Sequence, residues 1–244
     1  MADLKALASG AGYASGDREG PLPLLLLVLT TVTGLVDAVS YLALGHVFVA
    51  NMTGNVVFLG FAAAGAEGFS IPASLVAIAA FLASAIVGGR LGAATAQHRG
   101  RFLANAISVE IVLVGAALAL SLTSVAPYQG PAAYALIVLL ALAMGLQNAT
   151  ARRLAVADLT TTVLTLTLTG LAADSALAGG KNPRPGRRAL ATLTMFAGAG
   201  VGALLLFRVG ASAVLALALA LLVVDGFVAW RHASSADAWT AEAR

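Results

Sequence analysis

The chain has no cysteine. Disulfides, thiolate nucleophiles and thiolate metal sites are therefore excluded. Charge is also scarce. Asp, Glu, Lys and Arg make up 10% of the 244 residues, whereas a domain that faces water on all sides uses roughly 25%. The net charge of +3 is small, and aromatics are only 6% of the chain. No basic stripe interleaved with aromatics exists, which excludes nucleic acid as a partner. The three histidines, His46, His98 and His232, do not stand at metal-ligand spacing, and the chain has no H-E-x-x-H, no G-x-S-x-G elbow and no P-loop. No metal or other cofactor is expected, and the enzyme reading is the weaker one. The opening run MADLKALASGAGYASGDREG lacks the basic region and short apolar core of a secretory signal. It reads as a flexible tail.

What the chain has instead is hydrocarbon. It is 60% hydrophobic, with a mean hydropathy of +0.94. A membrane-crossing helix needs about 20 mostly apolar residues. Eight apolar stretches stand out, at 22–44, 47–65, 71–93, 103–124, 132–151, 156–175, 189–207 and 210–230. All seven prolines lie at or near their ends, where the missing N–H costs little. The second and sixth stretches differ from the rest. The second carries Asn51, Thr53, Gly54 and Asn55 in its middle; the sixth opens with Asp158 and holds six threonines.

Charge placement decides how many stretches cross. With eight crossings, the 14 basic residues split 8 against 6 between the two sides. If stretches two and six enter and leave on one side, the split becomes 13 against 1, with Arg208 alone outside. Basic residues concentrate on the cytoplasmic side, so six crossings are expected, with N- and C-termini cytoplasmic. The chain also repeats weakly. Gly34-Leu35-Val36-Asp37-Ala38 resembles Gly145-Leu146-Gln147-Asn148-Ala149; Asn51-Met52-Thr53 resembles Asp158-Leu159-Thr160; Gly88-x-x-x-Gly92 resembles Gly198-x-x-x-Gly202. Three crossings per half is odd, so the second half must enter from the opposite side. The expected fold is an all-α polytopic membrane helix bundle, with six crossings plus two re-entrant or broken helices in a 3+3 inverted repeat. Its organisation is a tail over 1–21, one transmembrane domain over 22–231 (halves 22–124 and 132–231) and a second tail over 232–244.

The runs GLVDAVSYLALGHVFVANMTGNVVFLG (34–60) and MGLQNATARRLAVADLTTTVLTLTLTG (144–170) resemble the two signatures of the YoaK family of bacterial membrane proteins. The resemblance extends from about Leu22 to Trp230. It implies a six-span protein of the bacterial inner membrane, and it implies no activity.

Candidate functional residues follow from the cost of polar groups in hydrocarbon. Asp37 lies well inside the first span, where an ionisable group costs about 2.5–3.5 kcal/mol to insert. It reads as a proton- or cation-binding carboxylate, or as a structural one bonded to Ser40, Tyr41 or a helix end. Asn51, Thr53 and Asn55 read as the polar lining of a solute path, or as caps and interhelical hydrogen bonds. Gln147, Asn148, Asp158, Thr160, Thr161 and Thr162 are their counterparts in the second half, Asp158 being best read as a helix N-cap. Glu110 and Asp225 read as anchors paired with Arg90 or Arg231. Gly88, Gly92, Gly198 and Gly202 read as helix-packing positions, with a homodimer interface as the sharper alternative. Arg152, Arg153, Arg184, Arg187 and Arg188 are expected at lipid headgroups. The expected partners are membrane lipids and a small solute or a proton or other cation. The function is read as secondary transport or a channel with a polar site at the repeat interface. The alternative is a non-transporting membrane protein: a lipid-active enzyme, or a structural or regulatory partner.

Overall fold

A computed structural model describes residues 19–94, 98–124, 128–181, 184–235 and 237–240; most of both tails lies outside them. The described residues are helical, with six long helices and two short ones. The long helices are α1 (Leu22–Ala43), α3 (Ile71–Ala94), α4 (Arg99–Thr123), α5 (Gly130–Leu154), α7 (Pro185–Arg208) and α8 (Ala211–His232). Each is long and apolar enough to cross a membrane. The short ones, α2 (Met52–Ala63) and α6 (Thr165–Ala173), lie in the two polar stretches. At 1.5 Å per residue, their 12 and 9 residues reach only about 18 and 14 Å, well short of a roughly 30 Å hydrocarbon layer.

Side-chain contacts fix the direction of each long helix. Arg187 near the start of α7 pairs with Glu19, just before α1, at 2.6 Å. Arg99 at the start of α4 donates to the Leu154 carbonyl at the end of α5. Gly100 lies against the His232 carbonyl at the end of α8, and Gly92 near the end of α3 lies against Arg153. The starts of α1, α4 and α7 and the ends of α3, α5 and α8 thus share one end of the bundle. Of the described basic residues, only Arg208 lies at the other end. Trp239 docks at the arginine-rich end, over Gly20 and Gly100, and is buried.

The centre of the bundle is α1. Fifteen of its 22 residues are buried, so it has no broad lipid-facing stripe. Helices α3, α4, α7 and α8 surround α1 and α5, and turn large apolar residues such as Leu82, Val112, Phe196 and Val224 outward. Apolar helices gain no hydrophobic drive from associating within lipid, so close backbone packing has to hold them. The two tightest seams are α1 on α7 and α3 on α5, and both are built on glycine. A Cβ on Gly198 would meet the Thr31 carbonyl oxygen at 2.3 Å, and one on Gly34 would meet Met195 O at 2.6 Å. On the other seam, a Cβ on Gly145 would lie 2.2 Å from Phe81 O, and one on Gly88 would lie 2.8 Å from the Ala149 Cβ. Gly92 and Gly202 extend the same seams, against Arg153 and Leu35.

These seams predict the response to bulk. Gly145→Val and Gly198→Val should each lower the thermal midpoint of the detergent-purified protein, by the equivalent of about 1–3 kcal/mol for overpacking. Gly200→Val, also in α7 but with open space around it, should leave the midpoint nearly unchanged. Equal melting of all three variants would mean that the glycines do not set the seams.

Candidate functional site

Helix α1 stops at Ala43, and the chain turns through Gly45 and His46, both at positive φ. It then runs back alongside the helix it has just left, burying Val47, Val49 and Ala50. Such a returning strand brings amide groups that no helix satisfies. Asp37 satisfies two of them: its Oδ1 accepts from Val49 N at 3.2 Å and Ala50 N at 3.0 Å. Asp37 lies six residues before the end of α1, about 9 Å by the helical rise, so the chain dips to that depth. Asn55 satisfies the next residue in both directions. Its Oδ1 accepts from Phe48 N at 2.8 Å and its Nδ2 donates to Phe48 O at 2.6 Å. Asn51 then caps α2 by accepting from Gly54 N, and α2 carries the chain back out. Gly54 is required locally, because a Cβ there would lie 2.7 Å from the Phe48 ring. That ring stacks between Tyr41 and Phe58, and Phe58 stacks on Phe69. These aromatics form one stack beside the dip.

The second dip lies at the arginine-rich end. Helix α5 ends on Ala155 in the left-handed region, and residues 156–164 follow without regular structure. Asn148 stands six residues before the end of α5, as Asp37 does in α1. Its Oδ1 accepts from Thr162 Oγ1 at 2.5 Å, a hydroxyl where Asp37 takes backbone amides. Asp158 and Thr161 both have positive φ, a strained state for a β-branched residue such as threonine. Thr161 is buried, and its hydroxyl has no hydrogen-bond partner. Thr160 is exposed and donates to Val163 O.

Asp158 does not cap a helix. The residue before α6 is Leu164, and Asp158 instead accepts from Arg188 Nε at 2.9 Å, with Arg184 at 3.5 Å. Arg188 also donates to Asp174 at 2.7 Å and to the Gly170 carbonyl at 2.6 Å. One guanidinium thus ties the loop, the C-terminal turn of α6 and the start of α7 together. A planar fork with several donors suits three acceptors at once, and a cation favours a helix C-terminus. Arg188 was expected at lipid headgroups; burial against two carboxylates overrides that. The sequence signal for this clamp was the pair of acids bracketing α6, Asp158 and Asp174.

The remaining candidates separate. Gln147 is fully buried and faces α1, donating to Thr33 Oγ1 at 2.8 Å; it bolts the two central helices. Thr53 is exposed on α2. Asp37 bonds neither Ser40 nor Tyr41 through its carboxylate, since Ser40 Oγ donates to the Asp37 backbone carbonyl instead. Glu110 and Asp225 do not pair with Arg90 or Arg231: both oxygens of Glu110 and Oδ2 of Asp225 lack a hydrogen-bond partner, and Arg231 lies over the Phe227 ring. Asn148 and Thr160 are brought together by a cleft of about 720 Å³, lined also by Phe81, Gly89, Arg152 and Val156. Asp37, Asn51 and Asn55 lie outside its lining. Among the described residues, no group of three or more His, Cys, Asp and Glu could hold a metal ion.

Comparison with known proteins agrees with this architecture. The chain is 33% identical over 135 residues to the UPF0700 transmembrane protein YoaK of Bacillus subtilis (strain 168), an alignment that covers 54% of this chain and 57% of that protein. The matched region is thus little more than half of the relative's length. No solved structure matches significantly. The family described as Protein of unknown function (DUF1275) matches residues 25–226, which takes in most of α1 and α8, the other four long helices whole and both dips, and the chain belongs to that family.

Proposed function

We propose that this protein is a secondary transporter or channel for a small polar solute in the bacterial inner membrane, with its arginine-rich end and both termini cytoplasmic. The observation that carries the reading is the pair of dips. Each central helix, α1 and α5, holds a polar side chain six residues before its end, and each receives a non-helical returning segment there. Irregular backbone at membrane depth is tolerated only inside protein or beside a water-filled cavity, and many transporters place their sites at such breaks. The packing pattern supports an inverted repeat. Exchanging the first four helices for the last four turns the α1–α7 seam into α5–α3 and the α4–α5 contact into α8–α1.

The two sides of the proposed path differ. The aromatic stack of Tyr41, Phe48, Phe58 and Phe69 covers the outer dip. The inner dip borders the cleft, with Asn148, Thr160 and Arg152 on its wall. That asymmetry is what a carrier closed outside and open inside would present. Thr160 and Asn148 on the cleft wall are the groups we assign to solute contact, with the strained Thr161 and its unpartnered hydroxyl next to them in the chain. One observation favours the non-transporting alternative: in the outer dip, Asp37 and Asn55 spend their side chains on the protein's own backbone.

Two measurements separate these readings. The cysteine-free chain permits single-cysteine labelling in intact cells. Cysteines at Ala155 and Ala178 should react only from inside and one at Ala66 only from outside. A cysteine at Thr160 should react from inside with small polar reagents. Labelling of Ala155 and Ala178 from opposite sides would make the inner dip a full crossing and end the repeat reading; an inert Thr160 would favour a dry structural cluster. The second measurement concerns Asp37. Asp37→Leu leaves two buried N–H groups bare, at about 1–3 kcal/mol each, whereas Asp37→Asn keeps an acceptor oxygen. The thermal midpoint should therefore fall much further for Leu than for Asn. Similar losses for both would show that charge, not acceptance, is what position 37 supplies.

A further inference from the structure

The largest unexplained polar feature lies away from both dips, where α4 meets α8. Glu110 has 0% of its surface exposed and Asp225 2%. Glu110 stands 11 residues into α4 and Asp225 seven residues before the end of α8, about 16 and 10 Å from the arginine-rich end by the helical rise. Gly226 brings the helices close, its Cβ position lying 3.0 Å from Ile107 and 3.2 Å from Ile111. Glu110 lies between Ile107 and Ile111 in the chain and Asp225 next to Gly226, so the two acids stand at one level of the seam. Both Glu110 oxygens and one Asp225 oxygen have no hydrogen-bond partner.

No cation compensates this pair. Helix α4 is packed by α8, α5, α3 and the Ala238–Thr240 turn, and α8 also by α1 and α7. The charged or titratable residues of those elements are Arg231 and His232, Tyr134, Arg152 and Arg153, Arg90, Asp37 and Tyr41, and Arg187, Arg188 and Arg208. Arg231 lies over Phe227, Arg187 pairs with Glu19 and Arg188 with Asp158 and Asp174. The first turn of α4 adds Arg99 and Arg101, whose guanidinium groups donate to the Leu154 and Ala233 carbonyls. None of these hydrogen-bonds or ion-pairs with either acid. Two bare carboxylates at one level of an apolar seam would cost far more than the seam returns. A single proton held between two carboxyl groups removes most of that cost, because one group then donates to the other.

We propose that Glu110 and Asp225 form a carboxyl–carboxylate pair that binds one exchangeable proton in the α4–α8 seam. The step is proton exchange alone: a proton passes from water to one carboxylate oxygen and returns to water, with no other bond made or broken. Glu110 is fully enclosed and Asp225 retains a slight exposure, through which a proton would arrive. Metal ions fit poorly, since the two side chains bring no third His, Cys, Asp or Glu and the close neighbours Ile107 and Ile111 are apolar. As the coupling site of a carrier, the pair rests on the transport reading; as a proton site, it does not.

Infrared spectroscopy of the purified full chain in lipid vesicles tests the site without any solute. The chain has four glutamates, of which Glu110 is the one inside a long helix. With glutamate 13C-labelled at the side-chain carboxyl, a protonated-carboxyl stretch at neutral pH that moves in D2O is expected. It should vanish in Glu110→Gln and persist, shifted, in Asp225→Asn. A labelled protein with no protonated glutamate band at neutral pH would overturn the proposal, as would a band that ignores Asp225→Asn or does not exchange in D2O. Because the labelled wild-type protein carries the test, poor folding of a variant cannot hide the answer. A transport defect with the band intact would count against the transport reading alone.

Discussion

Everything in this bundle is arranged around one constraint: a backbone N–H or C=O inside hydrocarbon must find a partner. Six long helices meet it by themselves. The two stretches that are not helical throughout, 44–51 and 155–164, cannot, and the chain's most unusual side chains gather on them. Asp37 and Asn55 take up the amides of residues 48–50, and Asn148, Arg188 and Thr162 hold the second loop. The glycine seams serve the same end, since they bring α1 and α5 close enough to their neighbours to enclose the dips in protein.

The fold was legible because its signals are additive over long windows. Hydropathy summed over about 20 residues separates a span from a loop, and one misplaced polar residue does not change the sum. The distribution of arginines chose six crossings over eight, and six long apolar helices are present. Small residues four apart have few other uses inside a membrane helix, and Gly88, Gly92, Gly198 and Gly202 all lie where a neighbouring helix approaches closely.

The site was less legible, because hydrogen-bond partners are set by the path of the chain and not by residue type. Asp37 was expected to bond Ser40 or Tyr41, its neighbours on the helix; it bonds Val49 and Ala50, which only the returning segment brings near. Asp158 has the residue type and position of an N-cap, but Arg188, 30 residues later, claims it. Asn51 and Asn55 share a helical face by spacing, yet one is exposed and the other fully buried. The two acids of the α4–α8 seam were expected to pair with Arg90 or Arg231; their oxygens have no such partner, and Arg231 lies over the Phe227 ring instead.

The two dips solve one problem with different chemistry, and the membrane explains the difference. A cation at the arginine-rich end can be drawn into the bundle from a pool of neighbours, so Arg188 clamps the loop there through two carboxylates and a helix terminus. The opposite end has one described basic residue, Arg208, far too little for such a clamp. There the loop is held by a carboxylate accepting backbone amides, and aromatic stacking replaces ion pairing as the cover. Stacked rings can part by rotating a few side chains, whereas the clamp must break several charge-assisted hydrogen bonds together. The aromatic-covered dip is thus the softer of the two. The arginine-clamped loop is tied to α6 and the start of α7 as a unit, because one guanidinium binds all three.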